Sequence, residues 1–449
     1  MKARKRRGQH AVNSIVKSDH SAPTERSPAI IISIQTPDMT DSDVLRSIRE
    51  ISMLISDLGL DVKETFIQKR DNRNSPSYIG EGKLKEIAIF TGGTGFVAKG
   101  PSKVDMVDSK LKVIVDDELS PGQQRNLQSA LGVEVIDRVA VILKIFENRA
   151  SSKEAKLQVE LAKLEYQLPR VKDDHALGDK EGGGGRASRG HTNVELSKQR
   201  IRHKISVLRR EIESLAPDVI NAPDFTVALI GYTNSGKSSI MQALTKEGIY
   251  VEDKLFATLG TTTRKICPPI VPPMYLTDTV GFIERLPHDL VASFRSTLAE
   301  ARHAWLSIQV IDASDSAWRH HIEVSSQVIR DIHLDKSQCL LVFNKIDKLT
   351  ESARTQMEKE FSNALFVSAL ADEDMFRLRS KLIDMQSREL VESRLVLNYE
   401  DLYILSEFRD YVDVVSEEYA DRIHVVVRST RKYVDKLRSR LSKHSNSTA

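Results

Sequence analysis

Residues 225–238 read FTVALIGYTNSGKS, and this stretch decides the fold. Its first half is an apolar run typical of a buried strand, and its second half is a glycine-rich loop that ends in Lys237 and Ser238. A strand, the pattern GxxxxGKS and a helix in this order form a phosphate loop. The sequence therefore predicts an α/β domain that binds a nucleotide at this loop.

The phosphate loop is expected to hold the nucleotide mainly with its backbone. Its glycines permit a tight turn whose N–H groups surround the phosphates, and the helix that follows directs its positive end at the same charge. Lys237 is expected to reach the β- and γ-phosphates, and the Ser238 hydroxyl is expected to bind Mg²⁺. The predicted nucleotide-binding residues of the loop are Gly231, Tyr232, Thr233, Asn234, Ser235, Gly236, Lys237, Ser238 and Ser239.

Two further motifs are expected to surround the metal ion. Residues 278–281 read DTVG after an apparent strand, so Asp278 is predicted to hold the metal through water and the Gly281 N–H to contact the γ-phosphate. Among the threonines at 261–263, Thr262 is predicted to close on Mg²⁺ only when the γ-phosphate is present. The predicted metal-binding residues are Ser238, Thr262 and Asp278.

A third motif indicates the base. Residues 344–347 read NKID after an apparent strand. The Asp347 carboxylate can accept hydrogen bonds from N1–H and the exocyclic amine of guanine, and adenine lacks this pair of donors. The motif therefore predicts GTP rather than ATP, with residues 368–370 supporting the base from its far side. The predicted base-binding residues are Asn344, Lys345, Asp347, Ser368, Ala369 and Leu370.

The predicted catalytic machinery lacks a common component. Many GTPases orient the attacking water with a glutamine directly after the DxxG glycine, but Phe282 occupies this position and cannot hydrogen-bond to water. Turnover by the protein alone is therefore expected to be slow or to need another group. Asn234 resembles an asparagine of GTPases that use K⁺ as a fixed positive charge; alternatively, it only stabilises the loop. The predicted catalytic residues are Lys237, Asn234, Thr262 and Gly281.

Two kinds of pattern precede the phosphate loop. Strand and helix signals alternate over residues 29–150, which predicts βαβ units and a mostly parallel sheet. Apolar residues spaced by four and three recur over 157–171 and 201–215, which is typical of a coiled-coil seam. The glycine-rich residues 178–190 join these segments, so we expect an antiparallel helical hairpin with a mobile tip. The basic residues of the second helix either contact RNA or form a solvated face.

The composition excludes several classes of protein. The 449 residues are 40% hydrophobic and 29% charged, which is enough apolar material for several cores and excludes wholesale disorder. Cys267 and Cys339 are too few for a disulfide framework or a cysteine-rich zinc site. No apolar run approaches the length of a membrane span. The net charge of +3 is too small to indicate a polyanionic partner by itself.

The remaining segments carry weaker signals. Residues 1–28 are basic and lack the apolar stretch of a secretory signal, so we expect a disordered tail on a cytoplasmic protein rather than an organelle presequence. Near the C-terminus, a helix is predicted over 400–417 and a strand over 422–427. Adjacent helical side chains do not converge on one metal ion, so His320 and His321 are predicted to be surface residues.

Strings outside these general motifs resemble the HflX-type GTPase family. Some resemble the family's switch I and switch II, and others lie upstream of the phosphate loop. The resemblance covers roughly residues 30–440. The matching strings are DKLFATL at 253–259 with TTR at 262–264, LTDTVGFI at 276–283, LPHDLV at 286–291, YIGEGK at 78–83, DDELSP at 116–121 and KLQVEL at 156–161.

The resemblance implies an α/β N-terminal domain with a helical coiled-coil arm, a Ras-like P-loop GTPase domain and a small α+β C-terminal domain. It also implies Mg²⁺-dependent hydrolysis of GTP to GDP and GTP-dependent association with the large ribosomal subunit and its RNA. Family members are associated with ribosome splitting, rescue or recycling. The protein is expected to be a monomer. The predicted boundaries are 1–28 for the tail, 29–150 for the N-terminal domain, 151–218 for the arm, 223–388 for the GTPase domain and 389–449 for the C-terminal domain.

The chain departs from the family pattern at two places. Residues 186–191 read RASRGH, where the family often carries TRGPGE, and residues 260–261 read GT, where DP is common. An alternative function is a GTP-gated RNA-binding switch whose hydrolysis is not stimulated by ribosomes, and Phe282 keeps this alternative open. A tRNA-modification GTPase is a third alternative, but the sequence shows no sign of the one-carbon cofactor site that it would need.

Overall fold

The part of the chain that the structure describes is organised around three β-sheets. The computed structural model of the protein describes residues 26–97, 110–171, 187–215, 224–246, 256, 262–279, 281–283, 304–331 and 339–447. Over these ranges the chain forms, in order, a four-stranded, a six-stranded and a three-stranded sheet. The predicted α/β class is therefore confirmed. Over the same ranges, no helix combines the length and the apolar character that crossing a bilayer requires.

The N-terminal domain is built on a parallel sheet. Its elements are β1 Ser27–Gln35, α1 Asp41–Asp57, β2 Leu60–Lys69, α2 Glu81–Thr91, β3 Lys112–Val115, α3 Pro121–Leu131, β4 Glu134–Asp137 and α4 Arg138–Arg149. The strand order is β2-β1-β3-β4. The isoleucine run of β1 is buried because helices cover both faces of the sheet. Thr40 and Asp43 form a capping box that fixes the start of α1.

The arm is a pair of helices joined at their apolar seam, as predicted. The helices are α5 Lys153–Gln167 and α6 Ala187–Leu215. The buried seam residues are Leu161, Ile205, Leu208 and Ile212. The predicted tip was too long at one end, because residues 187–190 belong to α6. A single glycine inside a helix costs only about 1 kcal/mol, so Gly190 does not end the helix. Residues 178–186 lie outside the described part of the chain.

The GTPase domain contains the six-stranded sheet. Its elements are β5 Phe225–Gly231, α7 Lys237–Thr245, β6 Thr262–Lys265, β7 Met274–Asp278, β8 Leu306–Asp312, α8 Trp318–Asp331, β9 Cys339–Asn344, α9 Glu351–Glu360, β10 Leu365–Phe366 and α10 Asp372–Ser387. The strand order is β10-β9-β8-β5-β7-β6, and only the β6–β7 pair in this sheet is antiparallel. The loop after β5 thus leaves the carboxyl edge of central parallel strands, where α/β sheets bind ligands.

The C-terminal domain is a small antiparallel sheet with two helices. Its elements are β11 Val391–Leu397, α11 Leu402–Glu407, β12 Asp413–Tyr419, β13 Ile423–Ser429 and α12 Arg431–Ser447. The prediction of one helix over 400–417 was wrong, because α11 ends at Glu407 and β12 pairs with β13. Val412 and Val414 contact the core of this sheet, and the strand satisfies its backbone through β13.

Candidate active site

The phosphate loop includes the five-residue connection from β5 to α7, and close contacts require its glycines. A Cβ atom on Gly231 would lie 2.2 Å from the carbonyl oxygen of Val310. Gly236 has φ +94°, and a Cβ atom there would lie 2.0 Å from Asn344 Nδ2. Both positions exclude any side chain, so the loop can approach Val310 and Asn344 closely. Ser239 lies in the first turn of α7.

Lys237 is held inside the loop. Its side-chain nitrogen donates to the carbonyl oxygens of Gly231 at 3.1 Å and of Tyr232 at 2.9 Å. An ammonium group has three N–H donors, so one remains for a phosphate oxygen. Burial lowers the pKa of Lys237 to about 8, and the nearby carboxylate of Asp278 acts in the opposite direction.

The three predicted metal-binding residues lie together. Ser238 Oγ donates to Asp278 Oδ2 at 2.7 Å. Thr262 is the residue paired with Asp278 across β6 and β7. These side chains offer only oxygen ligands, one of them a buried carboxylate, and Mg²⁺ prefers oxygen ligands. The donor set therefore fits Mg²⁺.

The DxxG turn contacts the phosphate loop through its backbone. The N–H of Phe282 donates to the Gly231 carbonyl at 3.0 Å, and the N–H of Thr233 donates to the Phe282 carbonyl at 2.8 Å. A Cβ atom on Gly281 would lie 2.9 Å from Thr233 Cα and 3.1 Å from Lys237 Nζ, so only glycine fits. The Phe282 side chain is buried among apolar residues, including Tyr232. It therefore offers no polar group to an attacking water.

The NKID motif links the base side of the site to the phosphate loop. Asn344 Nδ2 donates to the Ser235 carbonyl at 2.9 Å, and Asn344 Oδ1 accepts from the Ala369 N–H at 3.0 Å. Lys345 has φ +62°, and its ammonium group donates to the Asn234 carbonyl at 2.7 Å. These bonds join two distant segments of the chain to one loop.

Asp347 and the segment after β10 are also in contact. Ser368 Oγ donates to Asp347 Oδ1 at 2.6 Å, which orients the carboxylate. A carboxylate has about four acceptor positions, so Asp347 can also accept from a base. The Leu370 side chain is 87% exposed and contributes no such contact.

The contacts of Asn234 distinguish between its two alternative roles, K⁺ binding and stabilisation of the loop. It has φ +58°, and its Oδ1 lies 3.4 Å from the Lys345 ammonium group. Lys345 also forms an ion pair with Asp312 at 2.7 Å. This contact favours loop stabilisation, because a K⁺ ion bound by Asn234 Oδ1 would have to displace a cation already near it.

Sequence reasoning missed the surroundings of Tyr232. The prediction that His321 is a surface residue was wrong, because it is buried and stacks on the Tyr232 ring at a centroid distance of 4.0 Å. His321, Ser325 and Ile329 are all buried and recur every four residues in α8. This helical spacing was a usable signal that His321 faces inward. His320 is partly exposed.

Comparisons with known proteins cover most of these segments. Three family models match the chain. They are described as GTP-binding GTPase N-terminal at residues 46–147, GTP-binding GTPase Middle Region at 149–218 and 50S ribosome-binding GTPase at 226–345.

Curated relatives match nearly the whole chain. The GTPase HflX of Gluconacetobacter diazotrophicus is 39% identical over 92% of this chain and 98% of that protein. The GTPase HflX of Escherichia coli K12 is 34% identical over 82% of this chain and 86% of that protein. A solved GTP-binding protein from Sulfolobus solfataricus in complex with GDP is 24% identical over 79% of this chain and 99% of that chain, with a TM-score of 0.41. The two curated relatives show that the chain belongs to the HflX family of GTPases and is a GTP-hydrolysing enzyme.

Proposed function

We propose that the protein couples GTP hydrolysis to association with the large ribosomal subunit, as a cytoplasmic monomer that acts in ribosome splitting, rescue or recycling. The match of residues 226–345 to a model described as a 50S ribosome-binding GTPase supports this partner. The buried Phe282 carries the proposal, because an apolar side chain occupies the position at which many GTPases carry the glutamine that orients water. Hydrolysis by the protein alone would then be slow, and the ribosome would supply or order the missing group.

The proposed roles of the site residues follow from the contacts. Ser238, Thr262 and Asp278 would hold Mg²⁺, which when bound offsets charge on the β- and γ-phosphates. Lys237 would add a second positive charge, aimed by its two carbonyl partners. The Gly281 N–H would contact the γ-phosphate. GTP would order these groups into the ribosome-binding state, and hydrolysis would release the protein.

The base would be selected by Asp347, with Ser368 as its support. Ser368 Oγ holds one carboxylate oxygen, so the carboxylate is already oriented before guanine arrives. Asn344 would support both the phosphate side and the base side of the site, since it hydrogen-bonds to the phosphate loop and to the Ala369 backbone. Guanine specificity and phosphate binding would therefore depend on one connected set of hydrogen bonds.

The two proposed roles of Asn234 can be separated by the cation. If Asn234 helps to hold K⁺, turnover should be faster in K⁺ than in Na⁺ at equal ionic strength. If it only stabilises the loop through Lys345, the two rates should be equal. Equal rates would exclude K⁺ activation.

Acidic residues of α5 reduce the positive charge that the basic residues of α6 can present to RNA. Lys204 pairs with Glu160 at 2.5 Å, and Arg209 pairs with Glu165 at 2.6 Å, so acids of α5 offset part of the positive charge. Exposed Arg210 lies on the same helix. We propose that the arm contacts ribosomal RNA through such exposed residues.

The test is GTP turnover by the purified protein in K⁺ buffer, with and without large ribosomal subunits from its source. We expect marked stimulation by the subunits. Lys237→Ala is the control, because it should abolish tight GTP binding and with it any stimulated turnover. If GTP binds but the subunits do not stimulate, the ribosome proposal fails. The buried Phe282 then favours the alternative, a GTP-gated RNA-binding switch, which predicts GTP-dependent RNA affinity.

A further inference from the structure

The phosphate loop contacts the N-terminal domain through a side chain. The Tyr232 hydroxyl donates to the carboxylate of Glu50, which lies in α1. Both residues are less than 9% exposed. A tyrosine of the nucleotide site therefore forms a buried, charge-assisted hydrogen bond with another domain, 182 residues away in sequence.

Glu50 belongs to a buried charged cluster that holds it in place. Arg138, at the start of α4, pairs with Glu50 and with Asp116, the latter at 2.6 Å. Ser47 Oγ donates to Asp116 at 2.6 Å. Burial acts to lower the pKa of Arg138, but the two carboxylates raise it overall, so the guanidinium stays charged. The cluster joins α1, the start of α4 and the residue that follows β3, which makes Glu50 a rigid anchor.

The other parts of the nucleotide site approach the same domain. Phe256, in the segment before Thr262, packs edge-on against Phe146 of α4 with ring centroids 4.7 Å apart. Ile283, in the segment after Gly281, is buried in the same apolar cluster. The N-terminal domain thus contacts the phosphate loop and a residue from each of the two segments predicted to be switches.

The Tyr232 backbone connects this contact to the phosphate-binding groups. Its carbonyl oxygen accepts from Lys237 Nζ at 2.9 Å, and its neighbour Thr233 donates to the Phe282 carbonyl. Glu50 and His321 fix the ring from two directions, so the carbonyl that aims Lys237 is fixed as well. Fixing a binding group beforehand removes part of the entropic cost of ligand binding.

We propose that Tyr232 and Glu50 are positioning residues, through which the N-terminal domain holds the phosphate loop in its nucleotide-binding conformation. By thermodynamic reciprocity, a bound guanine nucleotide must strengthen the contact between the two domains by the same factor. This inference depends on the nucleotide site alone and would stand if the ribosome proposal failed.

The test is a double-mutant cycle on GDP affinity. In Tyr232→Phe the ring can still stack on His321, while the hydroxyl is lost. We expect the dissociation constant of GDP to rise about tenfold, which lies within the usual range of coupling between sites. Glu50→Gln should have a similar effect, and the double variant should be no worse than the weaker-binding single variant.

Tyr166→Phe is the matched control. The Tyr166 hydroxyl also donates to a buried carboxylate, that of Asp137 at 2.9 Å, but both residues lie outside the GTPase domain. This variant should lose stability while its GDP affinity stays within twofold of the unchanged protein, on the order of experimental scatter.

Hydrogen exchange supplies a readout that a purely structural role of Tyr232 would not change. In the unchanged protein, GDP should slow amide exchange in α1, and in Tyr232→Phe this protection should be lost. The proposal is overturned if Tyr232→Phe and Tyr166→Phe bind GDP equally well. It is also overturned if GDP slows amide exchange in α1 equally in Tyr232→Phe and in the unchanged protein. If Glu50→Gln does not fold, the comparison of the two tyrosine variants still decides.

Discussion

At the residue scale, Gly236 shows how little room the phosphate loop leaves for change. Its φ of +94° is unfavourable for other residues, and a Cβ atom would collide with Asn344 Nδ2. Gly236→Ala should therefore lower the free energy of unfolding by more than about 1 kcal/mol and abolish tight GDP binding. Urea denaturation and calorimetric titration measure the two effects.

Gly82→Ala is the matched control for this substitution. Gly82 lies in α2, and a Cβ atom there would meet nothing within 4 Å. Alanine should raise the free energy of unfolding by about 0.5–1 kcal/mol and leave GDP affinity unchanged. If both alanine variants behaved alike, the close contact at Gly236 would not explain the requirement for glycine.

A second residue-scale prediction concerns the charge of Lys237. Burial lowers its pKa from 10.5 to about 8, so without nucleotide the folded protein binds fewer protons than the unfolded chain between these values. The stability of the nucleotide-free protein should therefore rise with pH across this window. Phosphates bind the ammonium form, so the dissociation constant of GDP should be flat below about pH 8 and rise up to tenfold per pH unit above it.

Calorimetric titrations of GDP between about pH 7 and pH 9 would test this dependence, since a titrating group changes its charge over about two pH units around its pKa. Lys237→Arg is the informative variant, because arginine stays charged over this range and should bind GDP with a flat pH dependence. A dissociation constant that stayed constant for the unchanged protein would show that Lys237 keeps its proton throughout.

At the scale of elements, the arm should be stabilised by one face of α6. Leu208 is 5% exposed in the seam with α5, whereas its neighbour Val207 is 46% exposed. Leu208→Ala should destabilise the hairpin by about 2–3 kcal/mol, and Val207→Ala should change it by less than about 0.5 kcal/mol. Amide exchange in α5 and α6 would show the difference. Equal amide exchange in the two variants would contradict the packing of Leu208 between α5 and α6.

The elements also show what the sequence could and could not predict. The phosphate loop and the NKID motif are local patterns, so each was placed on the correct strand end. The strand β12 was predicted as helix, because its exposed acidic residues resemble a solvated helix face and its pairing with β13 is not local. The contact of Tyr232 with Glu50 joins residues far apart in sequence, and no spacing rule predicts such a contact.

At the scale of the whole molecule, the GTPase domain is tied to its neighbours at opposite ends of β5. The carboxyl end leads to Tyr232, which binds Glu50 of the N-terminal domain. Asp224 precedes the amino end and binds Lys432 at 2.6 Å and Thr430 at 3.1 Å in the C-terminal domain. The first tie includes the phosphate loop, whereas the second is separated from it by the length of the strand. The two contacts should therefore differ in their coupling to nucleotide.

Asp224→Ala tests this difference. The ion pair is partly exposed, so its loss with the hydrogen bond to Thr430 should cost about 1 kcal/mol and speed amide exchange at the start of α12. GDP affinity should stay the same, because no group that faces the phosphates depends on Asp224. Titration calorimetry and hydrogen exchange on the same preparation measure both effects. A weaker GDP affinity in Asp224→Ala would mean that β5 transmits strain along its length, and that the phosphate loop responds to both neighbouring domains rather than to the N-terminal domain alone.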